Sequence, residues 1–243
     1  MTAVAPDRTS GVHFGLVELD LLATHAGTRF PFPLRVREFG RIDGEREVLL
    51  AAAGVTLRAR GLAGERGPLG IAAEVITALR EYRGSVDLVL AAPGSVTGIA
   101  AVVYRSWALI CKQVITGDRA ADGMWIRRIA QTALADELAA MVPAAESVLT
   151  MPFTFPPGGG DPGMLDELTI LLPELTGAGQ LGATRRGGRR ANLELSWLDG
   201  PRGRVRVHRA ADGWTSVNTL RHHEMRRAFD DLMMIARRED NGS

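Results

Sequence analysis

Gly177, Gly179 and Gly182 stand at the G-x-G-x-x-G spacing that lets a backbone approach a dinucleotide pyrophosphate, the chain's nearest approach to a cofactor motif. The motif needs a strand before it and a helix after it, because the helix N-terminus supplies the anion site. Here MLDELTILL (164–172), which reads as a helix, comes first and Arg185-Arg186-Gly187-Gly188 follows. The glycines therefore read as a helix stop running into a strand, and no cofactor is expected. The five histidines, His13, His25, His208, His222 and His223, form no H-E-x-x-H. His222-His223-Glu224 falls in the first turn of a helix, where neighbouring side chains point about 100° apart and share an ion poorly. Cys111 is the only cysteine, so it makes no internal disulfide, holds no metal alone and reads as a small buried apolar residue in a reducing compartment. With no G-x-S-x-G elbow, lysine-bearing phosphate loop or acid–base pair, neither a metal nor an enzymatic activity is expected.

Arg185, Arg186, Arg189, Arg190, Arg202, Arg204, Arg206 and Arg209 make the segment 185–209 basic, opposed only by Glu194 and Asp199. A nucleic-acid-binding hairpin is the alternative this raises. Against it, Arg202, Arg204 and Arg206 alternate with Gly203, Val205 and Val207, the period of a half-buried strand with one solvated face. That face has no aromatic residues for base stacking, so nucleic acid is not an expected partner.

The whole chain bounds these readings. It has 243 residues, 46% of them apolar, and a formal net charge of +1, which points to a globular core and to no global field for an acidic partner. No apolar run approaches the ~18 residues of a spanning helix and the start lacks a signal-peptide pattern, so the expectation is a cytoplasmic protein without membrane insertion.

The elements that must position any site are legible from periodicity. LVELDLLATHAG repeats its apolar residues at three- and four-residue steps and stops at Gly27, a helix with a glycine past its end. FPFPL is extended, and helices are predicted over 45–60 and 68–83, the second started by Pro68. Strand-like runs follow at VDLVLAA, GIAAVVYRS, WALICKQVI and MWIRRIA, then a helix at QTALADELAAMV. After the breaker PPGGGDPG the order recurs: a helix at 164–172, strands QLGATRR, ANLELSWL, GRVRVHR and WTSVN, and a helix over about 219–238. The organisation predicted is a disordered tail over 1–11, an N-terminal half over 12–156, a C-terminal half over 157–238 and a tail over 239–243. Both halves share one central, mostly antiparallel α+β sheet flanked by helices.

RAADG occurs at 119–123 and at 209–213, and the ninety-residue offset also aligns Ser106-Trp107 with Ser196-Trp197, Gly98 with Gly188 and Ala101 with Ala191. This predicts an internal duplication arranged about a pseudo-twofold axis, each RAADG forming a hairpin turn.

SWLDGPRGR (196–204), followed by Asp212-Gly213-Trp214-Thr215-Ser216-Val217 and an amphipathic helix, resembles the closing region of the EspG family of type VII (ESX) secretion proteins. Glu18-Leu19-Asp20-Leu21-Leu22, Ala26-Gly27 and Pro31-Phe32-Pro33-Leu34 resemble that family's opening, and Ala59-Arg60-Gly61-Leu62 also fits. The segment between Leu34 and Glu45 is short, and valines stand after Gly203 where the family often carries an aromatic residue. The resemblance implies a cytosolic chaperone that binds a PE–PPE heterodimer at the tip of the PPE bundle in a 1:1:1 complex, and leaves room for a weak homodimer. Contact candidates inferred from position are Val96 and Thr97 in a hairpin loop, Arg206 on the basic strand, and Met225, Phe229 and Met233 on the last helix. Methionines adapt to irregular partners, which is the reason for choosing that helix.

Overall fold

The structure, a computed structural model, describes residues 11–42, 44–116, 119–120, 123–147, 152–157, 175–188, 190–201 and 203–237. The predicted helix at 164–172, most of the two tails, Arg189, Arg202 and the Ala121-Asp122 pair lie outside the described residues.

The sheet grows from its middle. Strands β4 (Gly84–Ala92) and β10 (Gly177–Arg185) pair antiparallel from Ala178↔Ala91 to Arg185↔Gly84. Leu88 and Leu181 face each other at the centre of this pair, both wholly buried. On the β4 side follow β5 (Ser95–Tyr104), β6 (Trp107–Thr116), β8 (Met124–Ala130) and β1 (Val12–Phe14). On the β10 side follow β11 (Leu195–Gly200), β12 (Gly203–Arg209), β13 (Thr215–Thr219) and β9 (Phe153–Phe155). With β7 (Arg119–Ala120), which folds back on β6, they make one eleven-stranded sheet in the order β1-β8-β6-β5-β4-β10-β11-β12-β13-β9. Every named pairing in it is antiparallel. Counted outward from Leu88–Leu181 the two sides have the same succession, which is the pseudo-twofold relation predicted.

The ninety-residue register describes that relation only in part. Both RAADG strings join the third strand from the centre to the fourth. Ser106 and Trp107, however, turn β5 into β6, whereas Ser196 and Trp197 sit inside β11. The slip arises in the third strands: β6 begins at Trp107, well upstream of its RAADG, whereas the shorter β12 begins only at Gly203, so the sequences are out of step before the second strand is reached. The Ser-Trp match is therefore a coincidence of sequence, and the symmetry rests on strand order.

Helices cover both faces. On one face α1 (Leu16–Ala26), α2 (Glu45–Ala59) and α3 (Gly70–Glu81) bring Leu19, Leu22, Leu57, Val75 and Leu79 onto Ala100, Val102, Leu109 and Ile126. Helix α1 ends at Gly27 in the left-handed conformation, as the sequence indicates. The 68–83 prediction is corrected at its start. Pro68 belongs to a small hairpin of β2 (Ala63–Gly64) and β3 (Gly67–Pro68), and the helix begins two residues later. On the other face α4 (Leu134–Ala139) and α5 (His222–Arg237) press Leu134, Leu138, Phe229 and Leu232 onto Val86, Ile99, Leu181 and Trp197.

Strand β12 departs from its predicted faces. Arg204 is buried and Arg206 half-buried on the α5 side, while Val205 packs with Phe155 and Val217 on the other. Of the alternating arginines, the described pair Arg204 and Arg206 form no solvated face, because α5 covers their side of the strand.

Candidate partner-binding site

The three glycines with cofactor spacing all lie within β10, the strand part of the expectation; the helix expected before them lies outside the described residues. The glycines' missing β-carbons make room for side chains: Gly179 sits under the Trp197 indole and Gly182 under the Arg190 guanidinium. Arg190 crosses β4–β10 to donate to both Asp87 carboxylate oxygens, at 3.0 and 3.1 Å, and is also paired with Glu194. Burial pushes the Asp87 carboxyl above its ordinary value, and the Arg190 guanidinium only partly offsets this. Cys111 is buried and its thiol is pushed up to about 12, which removes it as a nucleophile near neutral pH. Among the described residues no group of three or more His, Cys, Asp or Glu side chains could hold a metal.

Among the other described arginines of 185–209, Arg204 and Arg186 are engaged as well. Arg204 donates to Asp199 at 2.5 and 2.9 Å, to the Pro143 carbonyl at 2.9 Å, and stacks over the Trp197 ring at 5.4 Å. Arg186 donates to the Arg80 carbonyl at 3.1 Å. Arg186, Arg190 and Arg204 thus serve internal partners.

A cleft of about 910 Å³ opens where the β4–β5 hairpin meets the ends of β10 and β11. Leu90, Ala91, Thr97 and Ile99 line it from β4 and β5, Gly177 and Ala178 from β10, and Asp199, Gly200 and Gly203 from the β11–β12 turn. Its wall is the segment from Ala140 to Glu146 that follows α4, and Lys112, the chain's single lysine, stands at the side. Three bonds hold that wall to the sheet and to the start of α5. The Pro143 carbonyl accepts from Arg204 Nη2, the Glu146 carbonyl from the Arg204 amide at 2.7 Å, and Ser147 Oγ donates to the Leu220 carbonyl at 2.7 Å. Small residues on the floor give the cleft its depth.

Six residues were candidates for contact, and the structure separates them. Val96 and Thr97 lie in β5, beyond the Pro93-Gly94 turn and not in the loop, and strand alternation sends them to opposite faces. Thr97 lines the cleft; Val96 does not. Arg206 lies opposite Trp197, half-buried, its Nε enclosed without a hydrogen-bond partner. Met225, Phe229 and Met233 lie on the inner side of α5, buried in the core, Phe229 at 0% exposure. The helix shows Met234 to solvent instead. Sequence reasoning missed Lys112, Met141 and Val114, the last half-exposed directly opposite Thr97. A lone lysine inside the apolar run WALICKQVI was the available signal for the first.

No curated protein matches the chain. Among solved structures it is similar to the Mycobacterium tuberculosis type VII secretion system chaperone EspG5, determined in complex with a PE25-PPE41 dimer. The TM-score is 0.59 at 11% identity, covering 91% of this chain and 95% of that one, a likeness of fold. The α+β architecture with its large antiparallel sheet is therefore shared. The EspG family model matches residues 16–231, nearly the whole described length, and the chain belongs to the EspG family.

Proposed function

We propose that this protein is a cytosolic chaperone of type VII secretion that binds a PE–PPE heterodimer in a 1:1:1 complex. The observation that carries the reading is the shared fold with a chaperone whose structure holds a PE25-PPE41 dimer, together with membership of the EspG family. The activity is binding without chemistry, and the two halves, 12–156 and 157–238, act as one unit through their common sheet. No described helix is long and apolar enough to cross a membrane, a feature compatible with work in the cytosol.

The cleft beside β5 is the surface assigned to the partner. Thr97, Val114 and Lys112 present a mixed apolar and cationic edge beside a floor of alanine and glycine, and a helical tip with protruding apolar residues fits that shape. Coexpression with each PE–PPE pair of the source genome, followed by affinity capture and mass measurement, tests the reading. One pair is expected to copurify at 1:1:1; failure with every pair overturns it.

A further inference from the structure

Helix α2 is anchored on one side only. Ala53 and Leu57 are buried and its closest helical neighbour is α1, but the opposite side carries Val48 at 70% and Val55 at 57% exposure. These valines are seven residues apart, about 20° from eclipsed at 3.6 residues per turn. Ala51, Ala52 and Ala59 around them are also exposed. On one flank of this apolar stripe stand Glu47 and Arg58, eleven residues apart and so again about 20° from eclipsed. Both are exposed, and neither forms an ion pair with a described residue.

We propose that this face pairs antiparallel with α2 of a second copy of the chain. A twofold axis crossing the helix between Ala51 and Ala52 sets Val48 against the second copy's Val55, and the reverse. The same axis keeps one flank of each helix on one side of the interface. It therefore brings Glu47 within a turn of the second copy's Arg58, and this happens twice. The sequence is thus self-complementary in shape and in charge about one centre, which an unrelated partner would not require. Exposed alanines let the axes approach toward the short end of the usual 8–10 Å range. No residue of α2 lines the cleft, so the pairing leaves the partner-binding site open.

A 15-residue helix is about 22 Å long. One such helix covers less than the ~800 Å² per partner of a standard stable interface, so the dimer is weak.

Sedimentation velocity of the free chain from about 1 to about 300 µM at low salt tests this. The expected result is a reversible monomer–dimer shift that Val55→Glu abolishes without changing the far-UV dichroism or Tm. Glu47→Arg and Arg58→Glu should each weaken association about fivefold, and the doubly reversed variant should return to within about twofold of wild type. A wild-type monomer at every concentration overturns the proposal, as does a dimer indifferent to Val55→Glu or a double variant no better than the singles. If Val55→Glu instead abolishes capture of a PE–PPE pair by a monomeric wild type, the face belongs to that partner and the self-pairing is refuted.

Discussion

Gly179 and Trp197 are direct partners across β10 and β11, and the indole lies where the side chain of any other residue at 179 would begin. A β-carbon there would fall 2.5 Å from the Trp197 Cη2 and closer still to Cζ2 and Cε2. Trp197 is fully buried, and its indole face meets Arg204, so the glycine sets the depth at which this residue packs between the sheet and α5. Glycine in a strand weakens it, and here close approach of a side chain is the compensation.

Gly179→Ala should lower stability by about 1–3 kcal/mol, the ordinary cost of overpacking a filled core. In a Trp197→Leu background the same change should cost much less, since the overlapping ring is gone. Urea melts of the four proteins give the coupling, and equal costs in the two backgrounds would remove Trp197 as the reason for the glycine.

Asp199 and Arg204 form an ion pair withdrawn from water, and Arg204 also holds the cleft wall through the Pro143 carbonyl. Arg204→Met leaves the Asp199 carboxylate without its partner, and a loss of about 3–5 kcal/mol is expected. Replacing both, as Asp199→Leu with Arg204→Met, should cost less than Arg204→Met alone. Hydrogen exchange separates the two roles: amides of the wall at 144–147 should exchange faster in both variants, because the Pro143 tether is absent from each. Unchanged exchange there would mean that the wall holds without Arg204.

Asp87 gives a pH signature. Burial raises its carboxyl above the ordinary value despite Arg190, so the folded protein binds this proton at a higher pH than the unfolded chain does. The contribution of this group to stability is therefore full below the unfolded value, near 3.9, and is lost as pH rises through the folded value. Asp87→Asn cannot titrate. The wild-type Tm minus the variant Tm should therefore increase as pH falls from about 7 to about 4. A difference that shrinks on acidification would show that the Arg190 bond outweighs burial and holds the carboxyl down.

Much of this architecture could be read from periodicity, and the failures have physical causes. Near-continuous apolar runs marked β4, β5 and β6 because both faces of those strands are covered over much of their length. In β12 the alternation of arginine and valine suggested a solvated face, but pattern alone does not distinguish a cation in water from one buried against Asp199. On α5 Met225, Phe229 and Met233 resembled an adaptable surface, since an apolar stripe looks the same whether a sheet of the same chain or another protein covers it. The outward stripe of α2 has the same ambiguity in reverse. Its valines recur at helical spacing, yet Ala53 and Leu57 are the residues that turn inward. The cleft was invisible because Thr97, Ala178, Asp199 and Met141 come from four distant segments and meet only when β4 pairs with β10.

Substitutions at the cleft and under α5 should separate binding from folding. Thr97→Arg places a long cation at the cleft edge beside Lys112, and Val114→Arg places one at its half-exposed neighbour. Neither residue is fully buried, so Tm should change little while affinity for the PE–PPE pair falls by about tenfold or more, as at other interface centres. Met233→Asp should behave oppositely. It buries a carboxylate among Leu232, Phe229 and the sheet, so folding should fail at lower temperature, and any binding lost should track the unfolded fraction. Titration by isothermal calorimetry alongside thermal melts distinguishes the two. Full affinity in Thr97→Arg and Val114→Arg would move the partner away from this cleft, and a stable, non-binding Met233→Asp would return α5 to the interface.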